Sequence, residues 1–232
     1  MAAMRRYAIY YAPERNDPLA RFARSWLGRD PEADTVCARR EIADMPHGRQ
    51  HEITEEPRHY GFHGTLKAPF PLADGVTEDD LFAAARAFAV VRAPFETDKL
   101  VLKEIGRFIA LVPCSVSEEL NRLAADCVRG FDRFRALPPP EELARRRAGG
   151  LSPRQDELLL QWGYPYVMEE FRFHLTLTGS LQKEERETVR RILADLTAPF
   201  CVTPFAVRDL AIFMQDDRKT PFRIVARFPF TA

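Results

Sequence analysis

The chain has 232 residues, enough for one sizeable core or two small lobes. Its 34 basic side chains are offset by 34 acidic ones, which argues against bulk electrostatic attachment to nucleic acid or an anionic membrane while leaving room for a local basic pocket. Cys37, Cys114, Cys127 and Cys201 are scattered without a C-x-x-C pair and read as buried or indifferent thiols in a reducing compartment.

Met1 to Arg6 carries no signal-peptide core and runs into a strand at Tyr7–Tyr11. No segment approaches the roughly 18 consecutive apolar residues that span a bilayer. A cytoplasmic protein without a membrane partner is the expectation. After Pro13, Leu19, Phe22, Ala23, Trp26 and Leu27 share a helical face that Gly28 closes. Residues 34–43 read as a further strand and the polar, proline-bounded stretch 45–58 as a loop or hairpin. Residues 60–70 then form a strand, and Thr77 with Asp80 opens a helix whose apolar face is Leu81, Phe82, Ala85, Phe88 and Ala89.

Strands are expected near 95–104 and 107–113. Ser115 with Glu118 matches a capping box for the helix that carries Leu120, Leu123, Ala124, Cys127, Val128, Phe131 and Phe134. Pro138-Pro139-Pro140 introduces a basic turn of helix ending at Gly149-Gly150, and Ser152-Pro153 with Gln155 starts another that Gly163 ends. Residues 136–168 are too short for a core of their own and read as a helical insertion arm. A strand over 171–180, a helix with Val189, Ile192, Leu193 and Leu196 inward, and strands near 200–214 and 222–230 complete the chain.

One pattern occurs twice. Phe62-His63-Gly64-Thr65-Leu66 is echoed by Phe173-His174-Leu175-Thr176-Leu177, and each copy is trailed by a helix, an Ala-Pro-Phe (at 93–95 and 198–200) and two strands. The expected fold is α+β: a single domain over 1–232 of two pseudo-symmetric antiparallel lobes with helices, divided near residues 115 and 116. Side chains alternate across a strand, so His63, Thr65 and Lys67 share one face, as do Arg172, His174, Thr176 and Thr178. Gly64 leaves room for close approach by a ligand or another strand.

Two imidazoles suit proton removal and donation near neutrality, and hydroxyls with an ammonium suit the oxygens of a phosphoryl group. His63 and His174 are therefore the candidate catalytic pair, and Thr65, Thr176 and Lys67 the candidate substrate ligands. Arg172 reads more simply as a cross-strand ion-pair partner and Arg145-Arg146-Arg147 as a solvated helix face, while Tyr164 and Tyr166 pack under the arm. A rival zinc set, His47, His51, His59 and His63, is disfavoured because Pro46, Gly48 and Pro57 interrupt the helix it needs. No metal and no cofactor are expected.

These residues resemble the 2H phosphoesterases, a superfamily with two H-x-[ST]-hydrophobic motifs on pseudo-symmetric lobes, and the resemblance covers nearly the whole chain. Tyr60 to Phe70, and Trp162-Gly163-Tyr164-Pro165-Tyr166 followed by Phe171 to Gly179, look like the branch encoded among bacterial phosphonate-utilisation genes. The resemblance implies metal-independent opening of a five-membered cyclic phosphate, with His63 and His174 as acid and base in either order and Thr65 and Thr176 as phosphate ligands. The branch's gene context implies a ribose 1,2-cyclic phosphate bearing a 5-phosphate, held by basic residues near the arm. Two alternatives stand: a 2′,3′-cyclic phosphodiesterase acting on RNA ends or nucleotides, and a non-catalytic nucleotide- or RNA-binding module.

Overall fold

The alternating segment at the start of the chain forms β1 (Arg6–Tyr11) in the computed structural model, which describes residues 5–232. Residues 1–4, the start of the lead-in read above, lie outside the described residues. Helix α1 (Pro18–Leu27) follows; the Asp17 side chain accepts the Leu19 amide at one end, and Gly28 adopts the left-handed conformation (φ 74°) at the other. The strand expected over 34–43 shrinks to the pairing of β2 (Arg29–Asp30) with β3 (Thr35–Val36), because Thr35 and Val36 are exposed and have no buried face to fix a longer register.

The stretch expected as a loop instead carries α2 (Arg49–Ile53) and α3 (Glu55–Tyr60), interrupted at Thr54. Buried Gln50, Ile53 and Pro57 anchor them, and Pro57 falls in the first turn of α3, where its missing N–H leaves no helix bond unmade. The strand expected over 60–70 is therefore shorter: β4 (Gly64–Phe70) starts directly after His63. A capping box between Thr77 and Asp80 opens α4 (Glu78–Val90) as expected.

After β5 (Phe95–Thr97), β6 (Leu100–Ile105) and β7 (Phe108–Pro113) comes α5 (Glu118–Gly130). Its cap is Ser117, whose hydroxyl accepts the Leu120 amide, and not Ser115. The arm holds α6 (Pro140–Arg147) and α7 (Pro153–Trp162), the latter with the expected Ser152–Gln155 capping box. Then follow β8 (Leu175–Thr176), α8 (Lys183–Thr197), β9 (Phe205–Val207), β10 (Asp209–Gln215) and β11 (Arg223–Pro229).

Seven strands make one antiparallel sheet in the order β11-β10-β1-β4-β8-β7-β6, so the fold is α+β. The two motif strands, β4 and β8, lie side by side near its middle. The hairpin that trails the first motif (β6–β7) packs on the second motif's side, and the one that trails the second (β10–β11) lies on the first motif's side. Each half of the sheet thus takes strands from both sequence repeats, and the boundary near residue 115 separates repeats in the sequence, not halves of the sheet.

Residues of β1 divide between two faces. Tyr7, Ile9 and Tyr11 enter the main core beneath the helices, whereas Ala8, Tyr10 and Ala12 face a smaller cluster with Phe213 and Phe222. The arm packs through Leu158, Val167 and Trp162 against Val128 of α5.

Candidate active site

Gly64 pairs with Leu175 across β4 and β8. Extending that antiparallel register sets His63 opposite Thr176 and Thr65 opposite His174, all four on one face, with Gly64 and Leu175 on the other. The two motifs thus form a reciprocal square of imidazoles and hydroxyls. On the opposite face Leu175 is fully buried, and the space over Gly64 is filled by the Phe173 ring, within 2.3 Å of where a Cβ would sit. The room that Gly64 provides is used by protein, not ligand.

Both imidazoles are tethered alike. Nδ1 of His63 lies 2.8 Å from the Gly61 carbonyl oxygen, and Nδ1 of His174 lies 2.8 Å from that of Arg172. A carbonyl only accepts, so Nδ1 carries the proton in each ring and Nε2 is the nitrogen left for chemistry. His63 Nε2 accepts from the Thr65 hydroxyl at 3.2 Å.

Their surroundings differ. His63 lies beneath Tyr10 at a centroid distance of 3.8 Å and 19° between planes, with Tyr60 at 6.1 Å and Phe213 at 6.0 Å. Among the described residues, His174 has only the Phe108 ring beside it, tilted by 47° at 5.7 Å. Burial pushes His63 down to about 4, opposed by the Gly61 carbonyl and assisted by the nearby His174, so it is neutral at physiological pH.

Lys67 does not join this group. A register shift between β1 and β4 places Thr65 opposite Tyr10 but Lys67 opposite Ile9, so the extra residue turns Lys67 from the site face to the helix face. There its ammonium donates to the Val128 carbonyl oxygen (3.1 Å) and to Asp132 (3.2 Å), and it is 3% exposed. The expected phosphate contact is replaced by an anchor between β4 and the end of α5. Burial lowers Lys67 to about 8, against the pull of Asp132.

Arg172 is turned back on its own backbone, donating to the Glu169 and Phe171 carbonyl oxygens, so the cross-strand pair expected for it does not form. Arg145 and Arg146 surround Glu142, Arg147 pairs with Asp156, and Tyr164 packs edge-on against Tyr166. Of the rival zinc set, His51 faces Arg58 and His59 meets the Gln215 side-chain amide. Among the described residues no group of three histidine, cysteine or carboxylate side chains is placed to hold a metal ion. A separate cleft lies elsewhere, with Tyr11, Glu14, Phe200 and Phe205 in its lining and no histidine.

Tyr10, which the sequence places only in a strand, lies over His63. The signal was the alternation Ala8-Tyr10-Ala12, which separates Tyr10 from the core face of β1.

Paired His–Thr motifs converge on one face of the antiparallel sheet of an α+β protein. A family described as protein of unknown function DUF1045 matches residues 65–223, and the chain belongs to that family. It is 36% identical over 99% of its length to the Ribose 1,5-bisphosphate phosphokinase PhnN of Janthinobacterium sp. (strain Marseille), covering 51% of that protein. A protein of the same name from Laribacter hongkongensis (strain HLHK9) is 33% identical over 94% of the chain and 50% of its own length. The chain spans about half the length of these relatives. Among solved structures, E. coli LigT complexed with 3′-AMP aligns at a TM-score of 0.44 and 14% identity over 100% of both chains. A structure titled phosphoesterase aligns at 0.43 and 13%, over 98% of this chain and 99% of that one. No helix among the described residues is long and apolar enough to cross a membrane.

Proposed function

We propose that this chain is a phosphodiesterase that opens a five-membered cyclic phosphate by acid–base catalysis between His63 and His174. The reciprocal His–Thr square across Gly64 and Leu175 is the observation that supports it most. Water attacks phosphorus in line with the ring P–O bond. One Nε2 takes the water proton, the P–O bond breaks, and the other imidazole gives a proton to the departing oxygen, leaving a monoester. Thr65 and Thr176 donate to the non-bridging oxygens as charge builds on them. No step calls for a metal or cofactor.

The proposed substrate is a ribose 1,2-cyclic phosphate carrying a 5-phosphate, and the proposed setting is phosphonate breakdown in the cytoplasm. The relatives' name describes a kinase of ribose 1,5-bisphosphate, a compound of the kind this ring opening yields. This chain contains no Gly-x-x-x-x-Gly-Lys-Ser/Thr phosphate loop, which favours histidine chemistry over nucleotide-dependent transfer in the segment considered.

Phosphorus NMR of the protein with 5-phosphoribosyl 1,2-cyclic phosphate, beside a nucleoside 2′,3′-cyclic phosphate, tests the reading. Ring opening of the first, abolished in His63→Ala/His174→Ala, is the expected result. Opening of the nucleoside substrate alone would retain the reaction and replace the substrate. Opening of neither would overturn the proposal.

A further inference from the structure

The two motifs are alike in sequence and tether, yet their neighbours across the sheet are not equivalent. Thr65 lies opposite Tyr10 of β1, while Thr176 lies opposite Ala110 of β7. Strand β1 is inserted between β4 and β10 with no counterpart between β8 and β7. His63 is therefore stacked flat under an aromatic ring of its neighbouring strand, whereas His174 has only the tilted ring of Phe108 at 5.7 Å beside it among the described residues.

We propose that Tyr10 is a positioning residue that makes the two histidines unequal, its ring covering His63 and committing that imidazole to accept the water proton while His174 donates to the leaving oxygen. This rests on the phosphodiesterase reading for its chemical consequence, though not for its physical basis. Tyr10 is 1% exposed and wedged against Phe213 at 4.9 Å, so the ring cannot swing off His63 without disturbing the small cluster behind it. A ring stacked 3.8 Å from one face removes water from that side, and this desolvation outweighs the attraction of the ring face for a cation, so the imidazolium is disfavoured. The Gly61 carbonyl holds the Nδ1 proton, so Nε2 keeps its lone pair.

Other polar and aromatic groups also surround this pair. His63 meets Thr65, Tyr60 and His174, and Tyr10 is influenced by Tyr60, Tyr164 and Arg6. None is a carboxylate, and the Gly61 carbonyl, which favours the charged form, does not offset the loss of water. The proximity of His174 acts on His63 in the same direction as burial.

The test is histidine ring NMR titration, with the signals of the five histidines assigned through His63→Ala and His174→Ala. In the wild type His63 is expected to titrate well below the ordinary imidazole value of about 6.5. Tyr10→Phe keeps the ring and should leave that titration in place. Tyr10→Leu removes the stack and should raise it by about one pH unit or more. The acid limb of the pH–rate profile should rise in parallel, a change that a purely structural loss would not produce. An ordinary His63 titration in the wild type overturns the proposal without need of any variant, as does a Tyr10→Leu protein that folds and titrates like wild type. Absence of turnover alongside a depressed His63 would count against the phosphodiesterase reading and leave the stacking role standing.

Discussion

Substituting Gly64 by alanine tests the geometry that holds the two motifs together. The new Cβ would lie 2.3 Å from Cε2 and 2.4 Å from Cζ of Phe173, where carbon atoms normally approach no closer than about 3.5 Å. The Phe173 ring is only 7% exposed and is hemmed in by Tyr11 at 5.9 Å and Phe205 at 5.8 Å, so it has little room to yield. Nor is β4 free to retreat, being bonded to β1 on one side and β8 on the other. Overpacking of this kind costs about 1–3 kcal/mol. For a chain of this size that corresponds to about 2–4 °C in Tm per kcal/mol. Urea unfolding followed by circular dichroism gives the stability. Removing the ring with Phe173→Leu should rescue part of the loss, so the double mutant should be more stable than the sum of the single effects. Because Phe173 adjoins His174, turnover of Gly64→Ala should fall about tenfold or more. A Gly64→Ala protein within about 0.5 kcal/mol of wild type, or strict additivity with Phe173→Leu, would refute the reasoning.

Lys67→Met should retain activity within a few-fold, since the ammonium anchors α5 and does not reach the site. Between about pH 8 and the unfolded value near 10.5, the unfolded chain keeps a proton that folded Lys67 has lost, so wild-type stability should rise with pH by up to about 3 kcal/mol relative to the variant. Parallel denaturant titrations at pH 7.5 and 10 measure the difference, and a flat one would refute the assignment. Thr65→Val and Thr176→Val should each lower kcat/KM by roughly 10–100-fold if the hydroxyls hold the phosphoryl oxygens. Retention of activity within twofold in both would remove them from the mechanism. Dialysis against EDTA should leave turnover unchanged; a loss restored by zinc would redirect attention to the segment of His47, His51 and His59.

Much of the site could be read from the sequence because it rests on strand alternation. His63, Thr65, His174 and Thr176 are placed by a period of two, which is local, and by a single long-range pairing of two like motifs. The same rule misplaced Lys67, since alternation fails where a strand gains a residue and nothing in Leu66-Lys67-Ala68 announces the shift. The two helices within 45–58 went unread because proline and glycine argued against them, while their stability comes from burying Gln50, Ile53 and Pro57 against distant parts of the chain. The second motif strand is shorter than the expected 171–180. Only Leu175 and Thr176 join the ladder, and the backbone beyond them leaves it as the amides of Leu177 and Thr178 converge on the Ile109 carbonyl.

The exchange of strands between repeats bears directly on how the site is held. Were each repeat to fold on its own hairpin, the histidines would sit on two bodies joined at a seam. Instead β4 and β8 are consecutive strands of one seven-stranded sheet, each flanked toward the edge by strands drawn wholly or partly from the other repeat. β5 and β9 add a second link, pairing Phe95 with Val207 and Thr97 with Phe205 across the repeats. Separating His63 from His174 would require breaking the pairing at Gly64 and Leu175 and parting a sheet covered by one continuous core. Fixed spacing favours in-line displacement, in which acid and base must stand on opposite sides of one phosphorus with little reorganisation. The inserted β1 keeps that spacing and breaks the equivalence of the two sides, which a reaction with distinct attacking and departing oxygens requires.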